Sequence, residues 1–250
     1  MYNPYTLEGK TILVTGASVG IGRQVAIDCA KFGAKLVLSD LEEEKLNIVL
    51  RELEGEGHIA VTCDLTNEDS IASLVEKCPV LDGYSNNAGV SKSIFMKFVS
   101  QKALNEAAAI NTFGPALLLQ KLVRKKKFSK KSSVVFTTSV SGVYTVHYGD
   151  SVNAMSTGAL NAFAKAAALD LGAQGIRVNC VNPSVIVTED TFAGSLLTEE
   201  EIKEKQSYFP LNKRFGNPDD VSTPIVFLLS DASSWITGAK LPIDGGYTLL

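Results

Sequence analysis

Seven short apolar runs, separated by longer stretches of helical spacing, govern what this 250-residue chain can fold into. The runs are Thr11–Val14, Lys35–Leu38, His58–Thr62, Val80–Tyr84, Ser133–Thr137, Arg177–Val181 and Lys240–Ile243. Several are continuously apolar and β-branched instead of alternating with polar residues, the pattern of strands covered on both faces. Between them, Gly20–Phe32 carries Ile21, Val25 and Cys29 at intervals of four and stops at Gly33. Asn67 or Asp69 caps a second helix that runs through Lys77, with Pro79 just beyond. Ala103–Phe128 and Asn153–Gln174 read as long helices, and Thr198 with Glu201 forms a capping box for a short helix through Ser207. Strands alternating with helices fold through right-handed crossovers. The expectation is an α/β protein: a single doubly wound parallel sheet of about seven strands with helices on both faces, one domain over residues 1–250.

Composition narrows the function. The net charge of −3 argues against a nucleic-acid partner or an anionic membrane surface, either of which needs a basic face. The densest cationic block, RKKKFSKK at Arg124–Lys131, reads as a solvated helix C-terminus whose cations suit the helix dipole. Cys29, Cys63, Cys78 and Cys180 are widely spaced, with no CxxC, and read as buried free thiols in a reducing compartment. MYNPYTLEGK has no apolar core of a secretory signal, and no apolar run approaches the roughly 20 residues of a membrane span. The expected location is cytoplasmic.

The first strand leads into TGASVGIG, Thr15–Gly22. Gly16, Gly20 and Gly22 permit a tight turn that brings backbone amides against a pyrophosphate, and the helix starting there points its positive end at that anion. The pattern follows a strand and opens a helix, as a Rossmann-type dinucleotide site requires. The second strand ends at Asp40, where a carboxylate can accept from both ribose hydroxyls and repel a 2′-phosphate. With Val19 instead of a basic residue beside Gly20, this favours NAD over NADP.

TGASVGIG resembles the cofactor turn of the short-chain dehydrogenase/reductase family, and the likeness runs nearly end to end. CDLT at Cys63–Thr66, NNAG at Asn86–Gly89, INTFG at Ile110–Gly114 and TTSVSG at Thr137–Gly142 resemble its further motifs in order, as do IRVNCVNPSVIVT at Ile176–Thr188 and SDASSWITGAKLPIDGG at Ser230–Gly246. The branch it most resembles is the carbonyl and xylulose reductases. The resemblance implies an oxidoreductase acting on carbonyls or secondary alcohols, and a homotetramer or homodimer. It implies cofactor contacts from Gly16, Ala17, Ser18, Val19, Gly20, Ile21 and Gly22, from Asp40, and from Asp64 and Leu65. Asn87, Ala88 and Gly89, then Ile186 and Thr188, would complete them. Ser139 and Asn111 would be the catalytic serine and asparagine. The residues at 185–216 would form a lid whose inner face carries Phe192, Leu196, Leu197, Tyr208 and Phe209.

The chain departs from the family at its centre. The family acid is a tyrosine, and a lysine four residues later lowers its pKa and holds the nicotinamide ribose; this is general acid–base catalysis with a tuned acid. Anchored on GALNAFAKAAALDL, the alignment puts Asn153 at the tyrosine position and Thr157 at the lysine position. Asn153 cannot give up a proton near neutral pH, and Thr157 brings no cation. Ser139 and Asn153 stand one residue further apart than the family pattern allows; a shift by one offers Val152 and Ser156, which are no better. Three readings follow. The chain is a catalytically impaired member kept for binding a dinucleotide or an uncharged, apolar small molecule in a roomier, more apolar cleft. It is an active enzyme with a displaced acid from GVYTVHYGD, in which Tyr144, His147 and Tyr148 lie, with Tyr148 or His147 swung toward Ser139. Or it turns over slowly with water as the acid. Two further departures are Ser184, where the family has glycine, and Pro224, which should kink a helix.

Overall fold

The computed structural model of the chain describes residues 3–189, 191 and 198–250. Seven parallel strands form one sheet: β1 (Thr11–Thr15), β2 (Lys35–Asp40), β3 (Ile59–Thr62), β4 (Leu81–Asn86), β5 (Phe128–Thr137), β6 (Arg177–Pro183) and β7 (Lys240–Ile243). Their order is β3-β2-β1-β4-β5-β6-β7. Both faces are covered, which is why Ile12, Leu13 and Val14 are all wholly buried although their side chains alternate between faces.

One face carries α3 (Glu68–Lys77), α5 (Gly114–Arg124) and α6 (Ser151–Gly172), packed through Leu74, Leu118, Leu122, Leu160 and Ala164 against Tyr84, Phe136 and Val178. The other carries α1 (Gly20–Lys31), α2 (Glu43–Glu52) and α8 (Pro218–Leu229), through Val25, Leu46, Val49, Val221 and Ile225 against Leu36, Leu38 and Val181. All four cysteines are free and buried in these layers. No helix among the described residues is long and apolar enough to cross a membrane.

Several expected boundaries change. The stretch expected as one helix, Ala103–Phe128, is α4 (Gln101–Ala108), a π-helical turn at Ala109–Phe113 and then α5. Tertiary contacts set that break. A Cβ on Gly114 would stand 2.6 Å from the Leu65 carbonyl oxygen, and Asn111 inside the turn bonds to distant backbone. Phe128 belongs to β5, so the basic run is only partly a helix end. Its Lys127 Nζ donates to the Cys78 carbonyl at 2.5 Å and the Glu76 carbonyl at 3.3 Å, closing the C-terminal end of α3. Asn67 is the α3 cap, its Oδ1 accepting from the Asp69 and Ser70 amides at 2.9 and 3.0 Å. Thr198 and Glu201 form the expected capping box at the start of α7 (Glu199–Ser207). Pro224 lies inside α8, which continues to Leu229.

Candidate functional site

The carboxyl ends of the strands enclose a cavity of about 830 Å³. It lies where the sheet changes direction, β1 having β2 on one side and β4 on the other; open parallel sheets take ligands at such a point.

The β1–α1 turn forms one wall. Gly16 has φ +65° and Gly20 φ +54°. A Cβ on Gly16 would lie 2.6 Å from the Ala88 nitrogen, and one on Gly22 would lie 1.9 Å from the Gly16 carbonyl oxygen. Backbone therefore packs on backbone, in a turn where neither position has room for a side chain. α1 starts at Gly20 behind Val19 with no side-chain cap, and Val19, Gly20, Ile21 and Gly22 line the cavity. Unclaimed N–H groups and the positive end of the helix dipole thus open onto it, an arrangement that fits a pyrophosphate.

Asp40 lines the cavity at the end of β2. Its Oδ2 accepts from the Ser18 amide at 3.0 Å and the Ser18 hydroxyl at 2.6 Å, and its Oδ1 from the Leu41 amide at 2.7 Å. Ser18 and Ala17 are themselves buried and do not line the cavity: Ser18 fixes Asp40, and Ala17 packs in the core. Asp64 and Leu65 line the same end, with the Asp64 Oδ1 taken by the Thr66 amide and hydroxyl. Burial, with Asp64 adding to it, raises the nearby Cys63 thiol pKa against an opposing Ser70 hydrogen bond. Asn87, Ala88 and Gly89 after β4, and Ile186 and Thr188 after β6, complete the lining.

Ser139, just after β5, borders this cavity and an adjoining one of about 340 Å³. Its Oγ accepts from the Ser141 amide at 3.1 Å, and its carbonyl from Asn182 Nδ2 at 2.9 Å. Asn111 borders the smaller cavity with both ends of its amide in use. Its Oδ1 accepts from the Val90 amide at 2.8 Å, and its Nδ2 donates to the Val90 carbonyl at 2.8 Å and the Ser156 hydroxyl at 3.0 Å. It laces the π-helical turn to the loop after β4.

Asn153 borders both cavities, and Thr157 the smaller. The Asn153 Nδ2 donates to Asp150 Oδ1 at 3.2 Å. The buried Thr157 hydroxyl shares its proton between the Ser141 carbonyl at 3.1 Å and the Asn153 carbonyl at 2.9 Å. No Lys or Arg is among the described residues lining either cavity.

The loop before α6 is less generous than expected. Tyr148 is 94% exposed and lines neither cavity. Gly149, at φ +78°, turns the chain and its carbonyl accepts from the Ile94 amide at 2.7 Å, pinning the loop with Tyr148 outward. The Tyr144 hydroxyl donates to the Lys240 carbonyl at 2.9 Å. His147 alone of the three lines the cavity, its Nδ1 3.4 Å from the Tyr247 hydroxyl. The sequence reading missed Asp150, which also lines it and takes the Ser141 hydroxyl on Oδ2. An Asp directly before a helix is a capping signal that could have drawn attention to it. Beside apolar Val140, Val185 and Ile186, the cleft is bordered here by Ser139, Ser141, His147, Asp150 and Asn153. Of the expected lid residues, Phe192, Leu196 and Leu197 lie outside the described residues. Phe209 stacks on Tyr247 at 4.9 Å between ring centroids, and Tyr208 is half exposed.

A seven-stranded parallel sheet with a glycine turn at its switch point and an acid closing β2 defines a Rossmann-type fold of the dinucleotide-binding kind. The family model described as Enoyl-(Acyl carrier protein) reductase matches residues 16–248. The chain is 32% identical over 248 residues to L-xylulose reductase of Caenorhabditis elegans, covering 98% of each. It is 32% identical over 252 residues to L-rhamnose 1-dehydrogenase (NAD(P)(+)) of Sphingomonas sp., covering 96% of each. Among solved structures, a short-chain type dehydrogenase/reductase from Mycobacterium marinum superposes with a TM-score of 0.89 at 29% identity, over 99% of this chain and 98% of the other. The chain belongs to the short-chain dehydrogenase/reductase family.

Proposed function

We propose that this chain is an NAD-binding family member that has given up rapid carbonyl reduction. The carrying observation is the state of positions 153 and 157: an amide held by Asp150 and a hydroxyl consumed by two backbone carbonyls. Neither delivers a proton, and no lining Lys or Arg among the described residues can lower the pKa of one that does. NAD, when bound, supplies a hydride acceptor or donor. The residues that would hold it are the Gly16–Gly22 turn and the open start of α1 for the pyrophosphate, and Asp40 for a ribose. Ile186 and Thr188 would hold the far end. Asp40 supports NAD over NADP, since its carboxylate would face a 2′-phosphate and no Lys or Arg is among the described residues lining the cavity. Ser139 remains able to donate a hydrogen bond to a ligand oxygen.

The test is direct: titrate the protein with NADH and NADPH, then assay turnover against a panel of ketones and secondary alcohols. NADH binding with turnover well below about 1 s⁻¹ is expected. Turnover at or above that rate overturns the reading.

His147 supports a second reading, in which the acid is displaced rather than lost, because it lines the cavity that Ser139 borders. An imidazole works near neutral pH without a lysine partner. That reading requires measurable turnover that His147→Ala abolishes and Tyr148→Phe leaves intact.

A further inference from the structure

Among the described residues, the Asp, Glu, Lys and Arg groups lining the main cavity have one sign of charge. The Asp and Glu groups lining it among the described residues are Asp40, Asp64 and Asp150, and no Lys or Arg accompanies them. The sequence between Pro183 and Lys203 contains acids and neither Lys nor Arg. His147 is the one imidazole among the described residues lining the cavity.

These three carboxylates do not sit in the same half of the crevice. Asp40 ends β2 and Asp64 follows β3, on the side of the sheet running β1-β2-β3. Asp150 precedes α6, on the side running β4-β5-β6, where its neighbours are Ser141 and Asn153. A dinucleotide lying across the switch point puts one nucleoside in each half, and the acid at the end of β2 marks the adenosine side. The nicotinamide side is then the side of Ser139 and Asp150.

NAD⁺ and NADH differ in charge only at the nicotinamide ring, which is cationic when oxidised and neutral when reduced. Asp40 and Asp64 therefore act alike on both forms. Asp150 does not. Its two oxygens accept from the Ser141 hydroxyl and the Asn153 amide, and it stands at the positive end of α6, so the anion is held in place. We infer that Asp150 makes this pocket select the oxidised nucleotide over the reduced one. The selection rests on the NAD-binding reading above and names what this chain's own departures do to it: a carboxylate stands where no lysine remains to offset it.

The test compares affinities for NAD⁺, NADH and ADP-ribose by calorimetry at pH 8, in the wild-type chain and in Asp150→Asn and Asp150→Glu. Substituting asparagine is expected to lower the NAD⁺-over-NADH preference about five- to tenfold, the effect of one nearby charge in a partly wet site. Asp150→Glu keeps the preference. ADP-ribose, which lacks the ring, binds equally to all three proteins. An unchanged NAD⁺/NADH ratio in Asp150→Asn overturns the inference while leaving NAD binding intact. A parallel loss of ADP-ribose affinity overturns it as well, since the residue would then act on the whole site. Failure of all three nucleotides to bind the wild-type chain removes the NAD-binding reading and this inference with it.

Discussion

The Thr157 hydroxyl donates to the Ser141 carbonyl at 3.1 Å, tying α6 to the loop after β5. A hydroxyl used this way is a structural fastener, its proton committed to backbone. On the proposed reading, installing a tuned acid on this helix takes two changes. Asn153→Tyr alone would supply a phenol near its ordinary pKa of about 10, and Thr157→Lys alone would supply a cation with no acid to tune. The double variant, Asn153→Tyr with Thr157→Lys, is expected to raise ketone reduction about 10²-fold or more over wild type, with either single change giving far less. Steady-state assay with NADH checks this, and a wild-type rate equal to the double variant's would refute it.

Asp40 is expected to set nucleotide choice. Asp40→Ala removes the carboxylate that would face a 2′-phosphate, and the NADPH-over-NADH affinity ratio should rise about tenfold. The same change releases the Ser18 amide and hydroxyl, at a cost of about 1–2 kcal/mol. Fluorescence titrations with both nucleotides and a urea denaturation curve separate the two effects.

Gly22 admits no side chain. Its Cβ would stand 1.9 Å from the Gly16 carbonyl oxygen, a backbone atom that cannot move aside without opening the turn. Gly22→Ala is expected to weaken NADH binding at least about tenfold and to destabilise the fold by about 2–4 kcal/mol. Near-normal affinity in this variant would mean that the nucleotide does not lie on this turn.

Stability should fall in alkali. Burial raises the Cys180 thiol from 9.0 to about 12 and the Cys78 thiol from 9.0 to about 11, and pushes Cys29 and Tyr84 upward as well. Above pH 9 the unfolded chain loses protons from its thiols that the folded chain keeps. The folded state then binds more protons, and stability declines as pH rises through the folded values. Each buried thiol contributes up to about 1.4 kcal/mol per pH unit in that window. Melting temperatures at about pH 8, 9 and 10 should drop progressively, and Cys180→Ala should flatten the drop.

The strands and the glycine turn were legible because their signals are local: continuous apolar runs, and glycines at fixed offsets after the first. Even α2 was readable in principle from Leu46, Val49, Leu50 and Leu53, though charge around them masked the spacing. The π-helical turn was not, because it is imposed by Asn111 reaching Val90 and by the closeness of Gly114 to Leu65, partners that only the fold supplies. Tyr148 shows the same limit from the other side. Its place beside a candidate serine in sequence says nothing of its direction, which Gly149 and Ile94 decide. Asp150 escaped notice because its value comes from a hydroxyl nine residues away in the chain that the loop folds back to meet.

The strand order has a consequence for how the molecule is made. As the chain emerges, β2 and β3 each join an open edge beside the strand before them, β4 joins the free side of β1, and β5, β6 and β7 extend that edge in turn. No strand ever has to wedge between two neighbours already paired. Parallel pairing is slow because each step waits on a crossover, yet here synthesis and assembly can proceed in the same direction. The crevice between β1 and β4 takes shape once β4 has docked, well before the last strand is made.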